Sequence, residues 1–288
     1  MYAAYFGLKD NPFNLAPEPR YLFLSEYHRA ALNCLIYGIK EKKGFVLVTG
    51  GIGTGKTTIC RSLLNSLDDS VETALIFNTA ISDLDLLETM IGEYGISVAS
   101  GQRSKKIYID ALNEFLLQKF AAGKNVVLLI DEAQNLSYGV LEQVRMLSNL
   151  ETEREKLIQI ILIGQPELNN SLMLPALRQL NERITVRHDL QPLSPQDVRN
   201  YIEYRLKIAG GPGSISFTAG ALRHIYSFTE GIPRRINALC DRALLIAYTK
   251  NSSKIDRKTV KLAAQDVGTN YFQKTMSGWK KIWLRLTV

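Results

Sequence analysis

The sequence predicts an α/β fold: a three-layer αβα domain with a parallel five-stranded sheet, followed by a small all-helical domain. Short apolar segments alternate with helix-like segments up to Pro192, as in sheets that are covered by helices on both faces. After Pro192 every regular segment is helix-like, and glycines and prolines separate these segments. A length of 288 residues also suits about two domains.

The first part of the chain contains five apolar segments that alternate with longer, helix-like ones. We predict strands, in chain order, at 45–49, 74–77, 126–130, 157–163 and 184–190. We predict helices at 26–42, 57–67, 83–94, 105–121 and 137–150. Residues 1–24 are rich in prolines and aromatics, which favours an irregular, extended arm. We therefore assign residues 1–42 to the arm with the first helix, and residues 43–192 to the αβα domain.

The second part of the chain begins with the helix-start signal Ser194-Pro195-Gln196-Asp197. It combines a serine cap, a proline at the first helical position and an acid at the third. We predict helices at 195–209, 218–229, 233–250 and 256–267, with no strand among them. Residues 193–269 are assigned to this helical domain and residues 270–288 to a basic C-terminal tail.

The composition excludes several classes of protein. The net charge is +7, but the last 18 residues hold four basic residues and no acid, which leaves only +3 for the rest. This argues against nucleic-acid binding driven by net charge. Three widely spaced cysteines form no C-x-x-C pair, so no zinc site or disulfide framework is indicated. With no signal-peptide pattern and no apolar stretch of about 18–20 residues, we expect a cytoplasmic location.

Residues 50–57 read Gly-Gly-Ile-Gly-Thr-Gly-Lys-Thr and match the phosphate-binding loop G-x-x-x-x-G-K-[ST] between a strand and a helix. Glycines let backbone N–H groups turn toward phosphate oxygens, and the helix N-terminus adds positive partial charge. We predict that Lys56 reaches the β- and γ-phosphates of a nucleotide and that the Thr57 hydroxyl holds Mg²⁺. The predicted nucleotide-binding residues of this segment are Gly51, Gly53, Thr54, Gly55, Lys56, Thr57 and Thr58.

A second motif is the apolar run 126–130, which ends in Asp131 and Glu132. Ligands of open α/β sheets bind at the carboxyl ends of the strands, where these two acids are expected. We predict that Asp131 binds Mg²⁺ and that the catalytic Glu132 polarises the attacking water as a general base. The chain has no N-K-x-D motif, which argues against a guanine-specific GTPase.

Both motifs, with Gly-Gln-Pro-Glu-Leu at 164–168 and Gly-Ile-Pro-Arg-Arg at 231–235, resemble the AAA+ ATPases with their Walker A and Walker B motifs. Tyr-Phe-Gly-Leu at 5–8, Asn-Pro-Phe at 11–13 and Phe-Leu-Ser-Glu-Tyr-His at 23–28 are similar to the ExeA-like branch, the A-type ATPases of bacterial general secretion pathways. The resemblance covers about residues 3–268. It implies a P-loop NTPase that uses ATP and Mg²⁺, with the helical domain as a lid. DNA-transposition ATPases share much of this layout.

The resemblance implies roles for two polar residues after predicted strands. Gln165 follows the fourth strand, where the family keeps a polar sensor between the phosphate loop and the acids. A loop-capping glutamine is the alternative. Asn78 ends the second strand and matches the residue that restrains Glu132 until a ligand or partner binds, with an asparagine that opens a turn as the alternative.

The resemblance also implies roles for two arginines. Arg183 precedes the fifth strand, where the family has an arginine finger that reaches the γ-phosphate of a neighbouring subunit. Arg178 is the competing candidate, and a surface salt bridge is the alternative for either. Arg234, after Gly-x-Pro, resembles the second sensor that couples the lid to the nucleotide, although Arg235 is adjacent. A finger acting in trans implies a homo-oligomer, a ring or a filament.

The adenine side of the site is assigned to the arm, where Phe13 and Pro12 are predicted to cover the base.

In the tail, a helix over 277–288 places its two tryptophans, Ile282 and Leu286 on one side and its basic residues on the other. This pattern predicts attachment to the cytoplasmic face of the inner membrane. Docking on the protein or a partner is the alternative. In the resembled branch a membrane span and a periplasmic part often follow. We therefore expect either a piece of a longer protein or a role other than secretion.

Three functions fit these observations. The first, which we favour, is an oligomeric ATPase that drives assembly or remodelling of a bacterial envelope or secretion-type complex. The second is an ATP-dependent DNA-binding regulator of transposition type, which predicts salt-dependent DNA binding. The low charge of the body and the lack of a recognisable DNA-binding extension argue against it. The third is a nucleotide-gated scaffold, which would not need a carboxylate such as Glu132.

Overall fold

The structure is a computed structural model of the 288-residue chain. It describes residues 2–15, 18–77, 79–98, 104–152, 155–211, 213 and 215–271. Asn78 and the tail 277–288 lie outside these described residues. Contacts divide the chain into a sheet unit, Glu26–Gln191, and a helical unit, formed by Met1–Ser25 together with the chain from Pro192.

The sheet unit contains five parallel strands, as predicted. They are β1 (Phe45–Gly50), β2 (Val71–Ile76), β3 (Asn125–Ile130), β4 (Gln159–Gly164) and β5 (Ile184–Leu190). Their order across the sheet is β2-β3-β4-β1-β5. In the register, Val48 pairs with Ile163 and Ile130 pairs with Leu162. The carboxyl ends of β1, β3 and β4 therefore lie at one edge of the sheet. The candidate nucleotide-binding residues described below are at this edge.

Helices occur in both units. In chain order they are α1 (Tyr2–Tyr5), α2 (Glu26–Lys40), α3 (Lys56–Leu64), α4 (Asp83–Glu93), α5 (Lys105–Ala121), α6 (Tyr138–Leu147), α7 (Glu167–Leu172), α8 (Arg178–Arg183), α9 (Pro195–Ile208), α10 (Ala219–Thr229), α11 (Pro233–Thr249) and α12 (Arg257–Tyr271). In the described residues, no helix is both long and apolar enough to cross a membrane.

The sheet is buried on both faces because side chains alternate along each strand. Phe45 and Leu47 of β1 belong to one hydrophobic core, whereas Val46 and Val48 belong to a second core on the opposite face. Helices α4, α5 and α6 contribute to the first core, and α2 and α3 to the second. This arrangement explains the continuous apolar runs in the sequence and confirms the three-layer αβα architecture.

The helical unit combines α9–α12 with the N-terminal arm. Helix α9 begins at the predicted signal, because Ser194 and Asp197 form a reciprocal capping box. The prediction that this unit contains no strand is wrong. Two-residue strands β6 (Ser216–Phe217) and β7 (Lys254–Ile255) pair in parallel. Each is too short to produce a recognisable periodicity in the sequence.

The arm packs within the helical unit through the buried side chain of Arg205 on α9. Its guanidinium donates to the backbone carbonyls of Pro12 and Asn14, and its Cζ lies 4.7 Å from the centroid of the Tyr21 ring. Residues 1–25 therefore group with the helical unit, whereas α2 groups with the sheet unit. This differs from the sequence-based division, which joined the arm and the first helix in residues 1–42.

Candidate nucleotide-binding site

The segment from Gly51 to Gly55 forms a loop between β1 and α3, in the predicted strand–loop–helix setting. Gly53 and Gly55 have φ angles of +79° and +108°, values that favour glycine over residues with a Cβ. Helix α3 begins directly after Gly55. The loop therefore has the conformation and the helix N-terminus that a phosphate-binding loop requires.

Lys56 is the first residue of α3, and its side chain is buried over the loop. Its Nζ donates to the carbonyl oxygens of Gly50 at 3.0 Å and Gly51 at 3.2 Å. The hydroxyl of Thr54 also donates to the Gly51 carbonyl, at 2.8 Å. In this conformation the positive charge is bound by the loop itself and lies within reach of an anion that enters the cradle.

Thr57 and Asp131, the two predicted metal ligands, lie together although they are far apart in the sequence. Thr57 Oγ1 donates to Asp131 Oδ2 at 2.9 Å. Asp131 is only 2% exposed, and this burial raises the pKa of its carboxyl, although hydrogen bonds from Thr57 and the Glu132 N–H act in the opposite direction. A hydroxyl and a single carboxylate fit Mg²⁺, which binds through one or two carboxylates and completes its shell with phosphate oxygens and water. Among the described residues, no cluster of three His, Cys, Asp or Glu offers an all-protein metal site.

Glu132 follows Asp131 and adopts a left-handed backbone conformation with φ of +53°. Its Oε2 accepts hydrogen bonds from Gln134 Nε2 at 2.6 Å and Gln165 Nε2 at 3.3 Å. Burial alone would raise the pKa of Glu132, but these two amides and the charge of Lys56 together hold it below its ordinary value. The carboxylate is therefore ionised and able to accept a proton.

Gln165, the predicted sensor, contacts Glu132, and a residue to which the sequence assigned no role, Gln134, completes the group. The backbone N–H of Gln165 donates to Gln134 Oε1 at 2.9 Å. That bond fixes the orientation of the Gln134 amide, so its NH₂ group faces Glu132. The only sequence signal was an amide two residues after the acid, at the end of Asp-Glu-Ala-Gln.

The predicted restraining residue, Asn78, lies outside the described residues. Its neighbour Thr79 is buried, and Thr79 Oγ1 donates to the backbone carbonyl of Glu132 at 3.2 Å. The segment after β2 therefore contacts the backbone of the acidic motif at residue 79. The role of Asn78 stays a prediction.

The two arginine-finger candidates have different surroundings. Arg183 Nη1 donates to Ser148 Oγ at 2.5 Å and to Asn149 Oδ1 at 2.7 Å, just beyond the C-terminal end of α6. The Arg178 side chain is 79% exposed and pairs with Glu182 one turn later. Arg183 is thus engaged within its own chain, whereas Arg178 extends from the surface. The assignment of either as a finger stays a prediction.

In the helical unit, Arg234 is exposed at the second residue of α11. The backbone before it is fixed by Gly231, whose φ is +73° and whose surroundings leave no space for a side chain. A Cβ at this position would lie 2.1 Å from the carbonyl oxygen of Leu193. The adjacent Arg235 pairs with Glu230 at 3.0 Å. These contacts agree with the choice of Arg234 over Arg235, but its role as a sensor stays a prediction.

The assignment of Phe13 and Pro12 to the adenine side is not supported by the structure. Phe13 is 1% exposed and lies in the hydrophobic core of the helical unit, so its ring has no free face on which a base could stack. Pro12 is also buried, and its carbonyl accepts from Arg205. Phe6 and Tyr21 of the arm are also buried in this core, so in this conformation the described aromatic residues of the arm serve packing within the helical unit.

Comparisons with known families agree with this geometry. Residues 39–172 match the family model of the AAA domain, and this range contains the phosphate loop, Asp131, Glu132 and Gln165. The chain contains an AAA domain. The predicted resemblance to AAA+ ATPases is therefore confirmed.

The similarity to two known proteins extends beyond the AAA domain. General secretion pathway protein A of Aeromonas hydrophila is 47% identical over 267 residues, which are 93% of this chain and 48% of that protein. An uncharacterized HTH-type transcriptional regulator of Methanocaldococcus jannaschii is 27% identical over 251 residues, or 82% of this chain and 59% of that protein. The chain thus spans about half to three fifths of the length of these relatives. The first comparison confirms the resemblance to the ExeA-like branch.

Solved structures confirm the fold around the AAA domain. Cdc6p from Pyrobaculum aerophilum has a TM-score of 0.68 at 17% identity, covering 90% of this chain and 72% of that one. The ORC2 protein of Aeropyrum pernix, solved as ADPNP–ADP complexes, has a TM-score of 0.64 at 15% identity with the same coverage. RuvB from Thermotoga maritima, a Holliday junction branch migration motor, has a TM-score of 0.56 at 16% identity, covering 92% and 78%.

Proposed function

We propose that the AAA domain of this chain binds ATP with Mg²⁺ and hydrolyses it to ADP and phosphate. The observation that carries the proposal is the group at the carboxyl edge of the sheet. An ionised Glu132, held by two amides, lies next to Asp131, which contacts Thr57 at the start of the helix that follows the phosphate loop. A domain that only binds nucleotide has no need of a restrained carboxylate at this place.

Each residue of the group has a defined part in the reaction. Lys56 exchanges its two carbonyl partners for phosphate oxygens, because a cation binds a phosphate more strongly than a neutral carbonyl. Thr57 and Asp131 would hold Mg²⁺, which when bound neutralises phosphate charge. Glu132 accepts a proton from water while the water oxygen attacks the γ-phosphorus. The bond between the γ-phosphorus and its bridging oxygen breaks, and ADP leaves.

The active form is a homo-oligomer, a ring or a filament, in which an arginine of one subunit reaches the γ-phosphate bound by the next. Two observations support this part of the proposal: the side chain of Arg178 is exposed, and Arg183 lies directly before β5. A guanidinium is permanently charged and planar, and it stabilises the charge of a transferring phosphoryl group. A monomer would then hydrolyse ATP slowly.

The biological role proposed is assembly or remodelling of a bacterial envelope complex of secretion type, at the cytoplasmic face of the inner membrane. The identity of 47% to general secretion pathway protein A supports it. The second candidate, an ATP-dependent regulator that acts on DNA, is favoured by the 27% identity to an HTH-type transcriptional regulator. Binding to membranes through residues 277–288 is part of the first candidate.

The test is the steady-state ATPase rate against protein concentration, measured alone, with DNA and with anionic liposomes. A rate per subunit that rises with concentration supports a shared site. Stimulation by liposomes alone supports the envelope role. Stimulation by DNA that is lost at high salt supports the regulator. Glu132→Gln is the control for the chemistry, and it is expected to bind ATP without hydrolysing it. Normal turnover in that variant would refute the role of Glu132.

A further inference from the structure

His28, on α2, contacts the phosphate loop, although it lies 26 residues before Thr54, the loop residue that it touches. It is the third residue of α2 and is only 2% exposed. Its Nε2 lies 2.9 Å from the backbone carbonyl oxygen of Thr54. A carbonyl oxygen only accepts hydrogen bonds, so Nε2 carries the proton and donates it.

We infer that His28 is a positioning residue for nucleotide binding: by holding the Thr54 carbonyl, it turns the Gly55 N–H toward the phosphates. The peptide bond between these residues is trans and planar, so the carbonyl of Thr54 and the N–H of Gly55 point in opposite directions. Fixing the oxygen toward α2 therefore directs the N–H away from α2. Among the described residues, the Gly55 N–H has no acceptor.

The imidazole also restricts the part of the loop with the greatest backbone freedom. Gly55 has a φ of +108°, and a Cβ built on it would lie 2.7 Å from His28 Nε2. The ring therefore occupies the space that a side chain at position 55 would need. A glycine at positive φ otherwise has many accessible conformations. By restricting them before the ligand arrives, His28 lowers the entropic cost of binding.

The inference rests on the proposed nucleotide binding. Three variants test whether His28 acts as a hydrogen-bond donor or only as a ring that fills space. His28→Phe keeps the ring and removes the donor, which leaves the buried Thr54 carbonyl without this partner. His28→Gln keeps an N–H donor at a similar distance along the side chain. His224→Phe, on α10 of the helical unit, is the matched control for a histidine-to-phenylalanine change.

The experiment measures the Kd of Mg·ATPγS for the full chain by calorimetry, with thermal unfolding of every variant. Loss of a buried hydrogen bond commonly changes an equilibrium by about tenfold or more, so His28→Phe is expected to weaken binding by that factor. His28→Gln is expected to stay within about threefold of the unchanged chain, and His224→Phe to match it. In steady-state assays, His28→Phe should raise the KM for ATP more than it lowers kcat.

Two results would overturn the inference while the chain still binds nucleotide. One is an unchanged Kd in a folded His28→Phe protein. The other is that His28→Gln and His28→Phe lose the same affinity and show the same lower Tm. This result would mean that the ring only fills space. If His28→Phe does not fold, His28→Met replaces it, because methionine fills irregular space without a donor. If the unchanged chain binds no ATPγS, the proposed function fails and the inference fails with it.

Discussion

The side-chain amide of Gln134 donates a hydrogen bond of 2.6 Å to the carboxylate of Glu132, two residues earlier in the chain. The oxygen of the same amide accepts a hydrogen bond from the backbone N–H of Gln165, directly after β4. Gln134 therefore ties the acid after β3 to the strand beside it. Both Gln134 and Gln165 donate to the same oxygen, Oε2, so the carboxylate is stabilised in its ionised form and held in one orientation.

Replacement of Gln134 by leucine is expected to move the acid limb of the kcat–pH profile to higher pH. In the unchanged chain, hydrogen bonds hold the pKa of Glu132 below its ordinary value, so the base stays ionised as the pH falls. Without the Gln134 bond, burial is opposed by fewer favourable contacts, and the pKa of Glu132 rises. The loss in kcat is therefore expected to be greatest at acidic pH.

The control for this prediction is Gln118→Leu, because Gln118 is an exposed amide that donates to Glu114 at 3.3 Å far from the site. Its profile should be unchanged. A Gln134→Leu protein with lower kcat but the same pH dependence would show that the amide does not control the protonation of Glu132.

Replacement of Asp131 by asparagine is expected to stabilise the ligand-free protein while it abolishes Mg²⁺-dependent turnover. Burial raises the pKa of Asp131, so the folded state holds its proton more strongly than the unfolded state does. Stability from this group is thus greatest at low pH and is lost as the pH rises through the raised pKa. Asparagine removes the buried charge, so we expect a gain at pH 7 on the order of 0.5–2 kcal/mol, the size of common stabilising substitutions.

Thermal unfolding without nucleotide, at pH 7 and at pH 4, measures this effect. The rise in Tm should be larger at pH 7. Asp68→Asn is the control, because hydrogen bonds from Ser70 lower the pKa of this exposed carboxyl, and its loss should not raise Tm. A lower Tm for Asp131→Asn at pH 7 would refute the claim that the buried charge is destabilising.

The sheet and the phosphate loop were predictable because each depends on a short, continuous segment. Strand β5 begins and ends at the predicted residues, Ile184 and Leu190. Strand β2 was placed too late, at 74–77 instead of Val71–Ile76. It lies at the edge of the sheet, and its first three residues are only half-buried, so they do not form an apolar run.

The parts of the site that were not predicted depend on contacts between distant segments. The role of Gln134 requires the N–H of Gln165, and the contact of His28 requires α2 to pack behind the loop. Neither follows from periodicity or from a motif. The burial of Phe13 was not predicted for the same reason, since it depends on packing within the helical unit, where the arm is held by Arg205 on α9. Aromatic composition alone does not distinguish a base-binding ring from a core residue.

Replacement of Gly231 by alanine is expected to destabilise the helical unit by more than the cost of positive φ alone. The new Cβ would lie 2.1 Å from the Leu193 carbonyl oxygen, a backbone atom that cannot move without shifting the start of α9. We expect a loss of about 3 kcal/mol or more, since strained backbone costs on the order of 1–3 kcal/mol before any collision is added. Gly213→Ala is the matched control, because φ there is +74° and nothing lies within 4 Å. Equal Tm values for the two variants would contradict the prediction.

The variants Arg183→Ala and Arg178→Ala are expected to differ in their stability toward unfolding. Arg183→Ala removes hydrogen bonds to Ser148 and Asn149, and bonds to a charged group are worth about 1.5–3 kcal/mol. Arg178→Ala should leave Tm unchanged, because exposed pairs such as Arg178–Glu182 contribute little. Chemical denaturation of both variants measures the first difference.

Mixing each arginine variant with Lys56→Ala tests which arginine acts in trans. In such a mixture, only the arginine-variant subunit keeps a working phosphate loop, and only the Lys56→Ala subunit supplies the arginine. One outcome is that the mixture with Arg178→Ala recovers ATPase activity, whereas the mixture with a folded Arg183→Ala protein does not. This result would assign the finger to Arg178 and a structural role at the end of α6 to Arg183. Recovery with Arg183→Ala alone would mean that Arg183 leaves Ser148 and Asn149 when subunits assemble. Full activity of both single variants as isolated proteins would refute an arginine finger at either position.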